Sequence, residues 1–130
     1  MEQIWTDMYN AAKKVLNPRK ISEIMEAGGV AAAVESASGK IYVGVCVDGA
    51  CTLGICAERN ALFNMITNGE SAIKKVIAIN WDGKTMAPCG ACREFMAQLM
   101  VDEYRKVEVM LDYDNNKVVA LGELTPEWWI

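Results

Sequence analysis

The 130-residue chain contains no histidine. That absence excludes Ser-His-Asp triads, Cys-His nucleophile pairs, HExxH zincins and every general base built on imidazole. Catalysis in this chain must therefore run on Glu, Asp, Lys, Cys or a metal. Basic runs are also missing: no stretch of Lys/Arg exceeds two, and 13 basic against 17 acidic residues leave a net charge of -4 and a pI near 4.8. A duplex-DNA binder would show a basic face, so duplex nucleic acid is not an expected partner. No apolar stretch approaches the ~18 residues of a membrane span. Met1-Glu2-Gln3 followed by Asp7 is the wrong start for a signal peptide. The expected location is cytoplasmic, with no membrane partner. Repeats and low-complexity segments are lacking as well.

What is present is enough apolar material for a core, 52% hydrophobic against 23% charged residues. A chain of this length buries roughly two thirds of its unfolded surface, so the expectation is one domain over residues 1–130. In a reducing compartment the five cysteines, Cys46, Cys51, Cys56, Cys89 and Cys92, are thiols or metal ligands rather than a disulfide framework.

Ile4, Met8, Ala11, Ala12 and Val15 recur at helical spacing and stop at Asn17-Pro18. Ser22 to Ala27 suggests a further turn before Gly28-Gly29. Val30 to Glu35 and Lys40 to Val47 flank the turn-rich Ser36-Ala37-Ser38-Gly39 and predict an antiparallel hairpin. Ala57, Ala61, Leu62, Met65 and Ile66 predict a second helix. Val76 to Trp81 is a continuous apolar run that suits a strand covered on both faces. Cys92, Phe95, Met96 and Leu99 mark a third helix opening after Pro88, and Val107 to Leu111 and Lys117 to Leu121 two last strands. This order predicts a three-layer α/β domain around one mixed sheet. The eight methionines read as core filling, and Cys46 and Cys51 as small buried hydrophobes.

Two clusters open helices: Cys56-Ala57-Glu58 the second, Pro88-Cys89-Gly90-Ala91-Cys92 the third. Cys89 and Cys92 lie three apart, which brings two thiolates to one side of a first turn, where free amides and the positive dipole end favour anionic sulfur. Two helix starts at one end of a sheet can bring Cys56 beside them. Three thiolates leave the fourth position of a tetrahedral zinc for water. A carboxylate that is not a ligand, two residues from one, then suits the proton traffic, and Glu58 stands there. Zinc deaminases combine such ligation with a proton-shuttling Glu and a P-C-x-x-C signature.

Leu53-Gly54-Ile55-Cys56-Ala57-Glu58-Arg59 and Pro88-Cys89-Gly90-Ala91-Cys92-Arg93 resemble the two zinc motifs of the cytidine deaminase family, in its three-cysteine form that includes the blasticidin S deaminases. Val30-Ala31-Ala32-Ala33 resembles the family's first strand and Glu123-Leu124-Thr125-Pro126 its C-terminal helix signature. The resemblance implies one zinc per chain and a five-stranded sheet between helix layers. It also implies hydrolytic removal of the 4-amino group of a cytosine compound, with Glu58 moving protons, and a homotetramer. Backbone groups of Ala57 and Ala87 would contact the ring, and Arg59 would hydrogen-bond the cysteine ligands, offsetting the negative charge of three thiolates around Zn²⁺.

Cytidine deaminases hold the ribose with an Asn and a Glu and stack a Phe nearby. Cys46, Asp48 and Gly28 stand at those positions here. Glu94 resembles the blasticidin S branch, whereas Arg59-Asn60-Ala61 resembles the cytidine branch. The segment from Arg19 to Ala27 is longer than the family's and lies toward the sugar end. Trp129 falls nearest a family Phe that reaches a neighbouring subunit's pocket. A small cytosine nucleoside is thus the expected substrate. A cytosine-bearing antibiotic or modified nucleoside, and a non-enzymatic zinc-stabilised binding module, are the alternatives, and the second has no use for Glu58.

Overall fold

Small side chains dominate the longest strand, which carries Val30-Ala31-Ala32-Ala33-Val34, and the rest of the molecule is assembled on its two faces. The computed structural model describes residues 1–130, with α1 at Gln3–Val15, β1 at Arg19–Ser22, β2 at Met25–Ser36, β3 at Ile41–Asp48, α2 at Ala57–Thr67, β4 at Ile73–Asn80, α3 at Gly90–Leu99, β5 at Glu108–Asp112 and β6 at Lys117–Ala120. Single 3-10 turns fill Tyr104–Lys106 and Leu121–Leu124. No helix is long and apolar enough to cross a membrane.

The sheet is mixed. β3 runs antiparallel along one edge of β2 from Glu26 to Glu35, and β4 antiparallel along the other from Val30 to Ser36. β5 pairs β4 in parallel, after the α3 crossover, and β6 closes the far edge antiparallel to β5. The sixth strand corrects the expected count of five. β1 pairs Met25–Ala27 on the edge that β4 takes over further along. The segment before Gly28 is therefore a hairpin, where the sequence suggested a turn of helix. Exposed Ile21 and Ile24 give it no helical apolar stripe to bury.

Trp5, Met8 and Ala12 of α1 pack with Ala31, Ala33, Ile77, Ile79 and Met110 on one face. Ala57, Ala61, Leu62 and Met65 of α2 and Met96 and Ala97 of α3 pack on Ala32, Val34, Val76 and Ala78 on the other. These are the three layers, and β4 is covered on both faces from Val76 to Ile79. Four methionines, Met8, Met65, Met96 and Met110, are buried, but Met1 and Met86 are exposed, so methionine is not uniformly core filling here. The C-terminal helix signature forms one 3-10 turn, Leu121–Leu124, rather than a longer helix. Leu121 is buried beneath it while the turn's Thr125 hydroxyl donates back to the Leu121 carbonyl.

Two features set α2 on the sheet. Asn60 Nδ2 donates to the Val45 carbonyl at 3.0 Å and Asn64 Nδ2 to that of Val43 at 3.4 Å, satisfying acceptors on the free edge of β3. Gly44 lies directly under the helix, where a Cβ would sit 2.3 Å from the Ala61 nitrogen. The first turn of α2 can therefore approach the strand closely.

Candidate active site

Both cysteine motifs place their first cysteine at a helix start. Cys56 is the N-cap of α2 and Cys89 the N-cap of α3, each extended in φ and ψ, and Cys92 is the third residue of α3. The residue before Cys56 is pinned: Val47 and Ile55 exchange backbone hydrogen bonds of 3.0 and 2.9 Å. The three sulfurs of Cys56, Cys89 and Cys92 lie within 4.8 Å of one another, with Cys56 and Cys89 3.4 Å apart. A tetrahedral zinc with Zn–S of about 2.3 Å separates its sulfurs by about 3.8 Å, so the cluster has the size of that donor set.

The electrostatics also call for a cation. Cys92 is fully buried, and burial, then Glu58, then the neighbouring sulfurs push its thiol well above the ordinary range. Burial also raises Cys89, but the Cys92 amide, the neighbouring thiols and the Ala91 amide outweigh it and bring the group below its ordinary value. Crowding three sulfurs and a carboxylate at two helix starts is stable with a dication among them, and soft thiolates suit zinc. Arg59 supplies further positive charge. Its Nη2 donates to Cys56 Sγ at 3.5 Å, and that bond, above all, holds the guanidinium more firmly protonated than usual.

Glu58, in the first turn of α2, is only 5% exposed. Burial raises its carboxyl above the usual range, against the lowering effect of a backbone hydrogen bond and Arg59. It lines a cavity of about 760 Å³ together with Cys56, Cys89, Ala57 and Arg59. Cys46 and Asp48 line the same cavity. The Val30 amide donates to Cys46 Sγ at 3.2 Å, and the sulfur lies 3.9 Å from Asp48 Oδ2.

Three residues named from the sequence sit elsewhere. Gly28 is buried against Asn17 at φ +83°, where a Cβ would come 2.0 Å from the Asn17 carbonyl oxygen, and the cavity wall there is Gly29 and Val30. Ala87 is exposed between the lining residues Met86 and Cys89 but does not itself line the cavity. Trp129 lies on α3, its Nε1 donating to Glu94 Oε1 at 2.8 Å, and the ring is 71% exposed and outside the cavity of its own chain. Trp128 donates to the same oxygen at 3.2 Å. Cys51 is exposed, not a buried hydrophobe, and stands at φ +59° outside the cavity lining.

Sequence reasoning missed Trp81 and Met86, which line the cavity on the far side of β4's end. The available signal was an indole closing an apolar strand immediately before Asp82-Gly83. It also missed Arg93. Its Nε donates to the Pro88 carbonyl at 2.9 Å and its Nη1 to that of Leu124 at 3.0 Å, bracing the residue before Cys89 against the C-terminal turn.

A family model described as the cytidine and deoxycytidylate deaminase zinc-binding region matches residues 7–108. This chain belongs to that family. A probable cytidine deaminase of Dictyostelium discoideum is 38% identical over 68 residues, 51% of this chain and 46% of that protein. The chain matches about half the length of such curated relatives. The crystal structure of a cytidine deaminase from Burkholderia pseudomallei superposes with a TM-score of 0.73 at 29% identity, covering 94% of this chain and 96% of that one. That of the Mycobacterium tuberculosis cytidine deaminase gives 0.77 at 20% identity, covering 97% of each, which establishes a common fold. The family's zinc and the three converged sulfurs agree: the cluster of Cys56, Cys89 and Cys92 is compatible with one zinc per chain.

Proposed function

We propose that this chain is a hydrolytic deaminase that converts the 4-amino group of a small cytosine nucleoside-like compound to a carbonyl, releasing ammonia. The observation that carries the reading is the buried Glu58 beside a cluster of three cysteine sulfurs, of which Cys56 and Cys89 share the wall of one cavity with it. Zinc held by the three cysteines supplies Lewis acidity and a lowered pKa for water. Glu58 takes the proton of the attacking water and gives it to N3. It then carries a second proton to the departing amine as the C4–N4 bond breaks and the C4–O bond becomes a carbonyl. A carboxyl raised by burial suits both duties, since an acid–base group works best with a pKa near the operating pH.

In this reading Ala57, on the cavity wall, presents backbone groups to the ring, and Arg59 tempers the charge of the sulfurs. Asp48 and Cys46 face the N1 substituent. Gly29 and Val30, rather than Gly28, form the cavity wall at that end, and neither brings a ring. A modified cytosine compound, including an antibiotic of the blasticidin S kind, is a second reading, favoured by the 760 Å³ of space and by the weak donor at Cys46.

Residues 1–130 act as one deaminase domain organised on one sheet. A homo-oligomer, of four chains as in our reading of the family, is supported by the exposed Trp129, Leu53, Phe63 and Ile66. Trp129 would then serve a neighbour's site. Five free cysteines support a reducing, cytoplasmic setting. Ammonia release from cytidine, deoxycytidine, cytosine and blasticidin S tests the function. Turnover of at least one is expected, and zinc-loaded protein inert toward all four would contradict it.

A further inference from the structure

Trp81 is 68% exposed, yet it is not on a loose loop. It sits on a tight hairpin at the end of β4. Gly83 N–H donates to the Asn80 carbonyl and Asn80 N–H to that of Lys84, each at 2.8 Å, and Lys84 N–H reaches Asp82 Oδ1 at 3.0 Å. From α1, the Tyr9 hydroxyl donates to the Gly83 carbonyl at 2.8 Å, while the Tyr9 ring stacks on Tyr113 at 4.2 Å. The same hairpin carries Met86, whose N–H donates to the Ala78 carbonyl at 3.0 Å. An indole carried to a cavity rim on a hairpin whose backbone is held this firmly, with most of its surface in water, is placed to meet a flat or apolar ligand surface.

The polar groups at the rim are few. Apart from the cysteine cluster, Glu58 and Arg59, the polar side chains lining the cavity are Cys46, Asp48 and Thr52. Cys46 already accepts the Val30 amide, and the Thr52 hydroxyl donates to the Cys51 carbonyl. Asp48 accepts the Cys46 thiol through Oδ2 at 3.9 Å, which leaves its other carboxylate oxygen as the free polar group against the apolar surfaces of Trp81, Met86, Val47 and Ile55. A substituent with many hydroxyls would lose water contacts there and gain few in return.

We infer that Trp81 is a specificity-determining residue that stacks on the N1 substituent of the substrate and selects cytosine compounds whose substituent is poor in hydroxyls. The inference rests on the deaminase reading for the placement of the ring, and it names the substrate class within it.

The test compares cytidine, 2′-deoxycytidine and 2′,3′-dideoxycytidine in the wild type, Trp81→Ala and Trp81→Phe, with calorimetric binding of the same compounds alongside turnover. In the wild type, kcat/KM should rise as hydroxyls are removed. At about 25 cal/mol per Å², loss of an apolar contact of about 50 Å² is worth about tenfold, so Trp81→Ala should raise KM for dideoxycytidine by about that factor with kcat little changed. It should affect cytidine much less, and Trp81→Phe should restore most of the loss. An exposed side chain should leave the melting temperature unaltered. Equal losses on all three compounds, or none, would overturn the inference while leaving the deaminase reading intact. If the wild type releases ammonia from none of them, and from neither cytosine nor blasticidin S, the deaminase reading fails. Calorimetry then decides for Trp81: a tenfold weaker grip on dideoxycytidine in Trp81→Ala sustains the contact, and unchanged or absent binding rejects it.

Discussion

Replacing Gly44 by alanine should damage both the fold and the site through one methyl group. A Cβ there would lie 2.3 Å from the Ala61 nitrogen, 2.7 Å from the Asn60 carbonyl carbon and 2.9 Å from the Ala57 carbonyl oxygen. All three are backbone atoms of α2, so no side chain can swing aside. Relief requires α2 to move off β3 by about an ångström, given ordinary carbon contacts of roughly 3.5 Å. Overpacking of this kind costs about 1–3 kcal/mol, which for a chain of this size lowers Tm by roughly 4–12 °C. The moving turn carries Glu58 and follows Cys56, and a displacement of that size at a reacting group can cost ~10²-fold in rate. Thermal melts followed by circular dichroism, with ammonia release below the transition, measure both effects. Gly29→Ala is the stability control, because nothing lies within 4 Å of its Cβ position. It should melt at or slightly above the wild-type temperature. A Gly44→Ala protein with wild-type Tm and turnover would refute the claim that direct contact with β3 positions α2.

Cys89→Ala should lose stoichiometric zinc on metal analysis, since no histidine can replace the thiolate, whereas Cys51→Ala should keep it; the reverse pattern would reassign the site. Arg93→Gln removes the brace between the Pro88 and Leu124 carbonyls and should weaken zinc retention against a chelator by roughly 10-fold or more, with Arg93→Lys intermediate and unaltered retention counting against the brace. Hydrogen bonds from Gln98, Trp129 and Trp128 hold the Glu94 carboxyl below its ordinary value of 4.5. Because the shift is downward, the associated stability is present above that value and is lost as the pH falls through the lower folded-state one. Indole emission should therefore change in acid at a pH below the ordinary Glu value, and Glu94→Gln should remove that component; an identical acid profile in the variant would rule it out.

Much of this molecule was legible because its signals are local. Helical spacing from Ile4 to Val15 and the apolar run from Val76 are set by a core that covers α1 on one side and β4 on both. The cysteine motifs were legible for a related reason: a helix start fixes where its first residues lie, so spacing alone brings Cys89 and Cys92 together. What escaped depends on contacts distant in sequence. The β1 hairpin exists because β2 has a free edge at Met25–Ala27 before β4 begins, which no window of residues 19–27 reveals. Gly28 was read through a family position, but its backbone is claimed by Asn17. Trp81 reads in sequence as the last residue of a buried strand, yet the strand ends at Asn80 and the turn carries the indole to the cavity rim. Arg93 acts through two carbonyls, one of them thirty-one residues away.

The most direct test of the account is Glu58→Gln in zinc-loaded protein. With zinc content and melting temperature measured beside ammonia release, the amide should preserve both metal and fold. It can neither accept nor return a proton, so kcat should fall by roughly 10²–10⁴-fold on whichever cytosine compound the wild type deaminates. Near-normal turnover in the variant at full zinc occupancy would contradict the role assigned to the buried carboxylate, and with it the proposed chemistry.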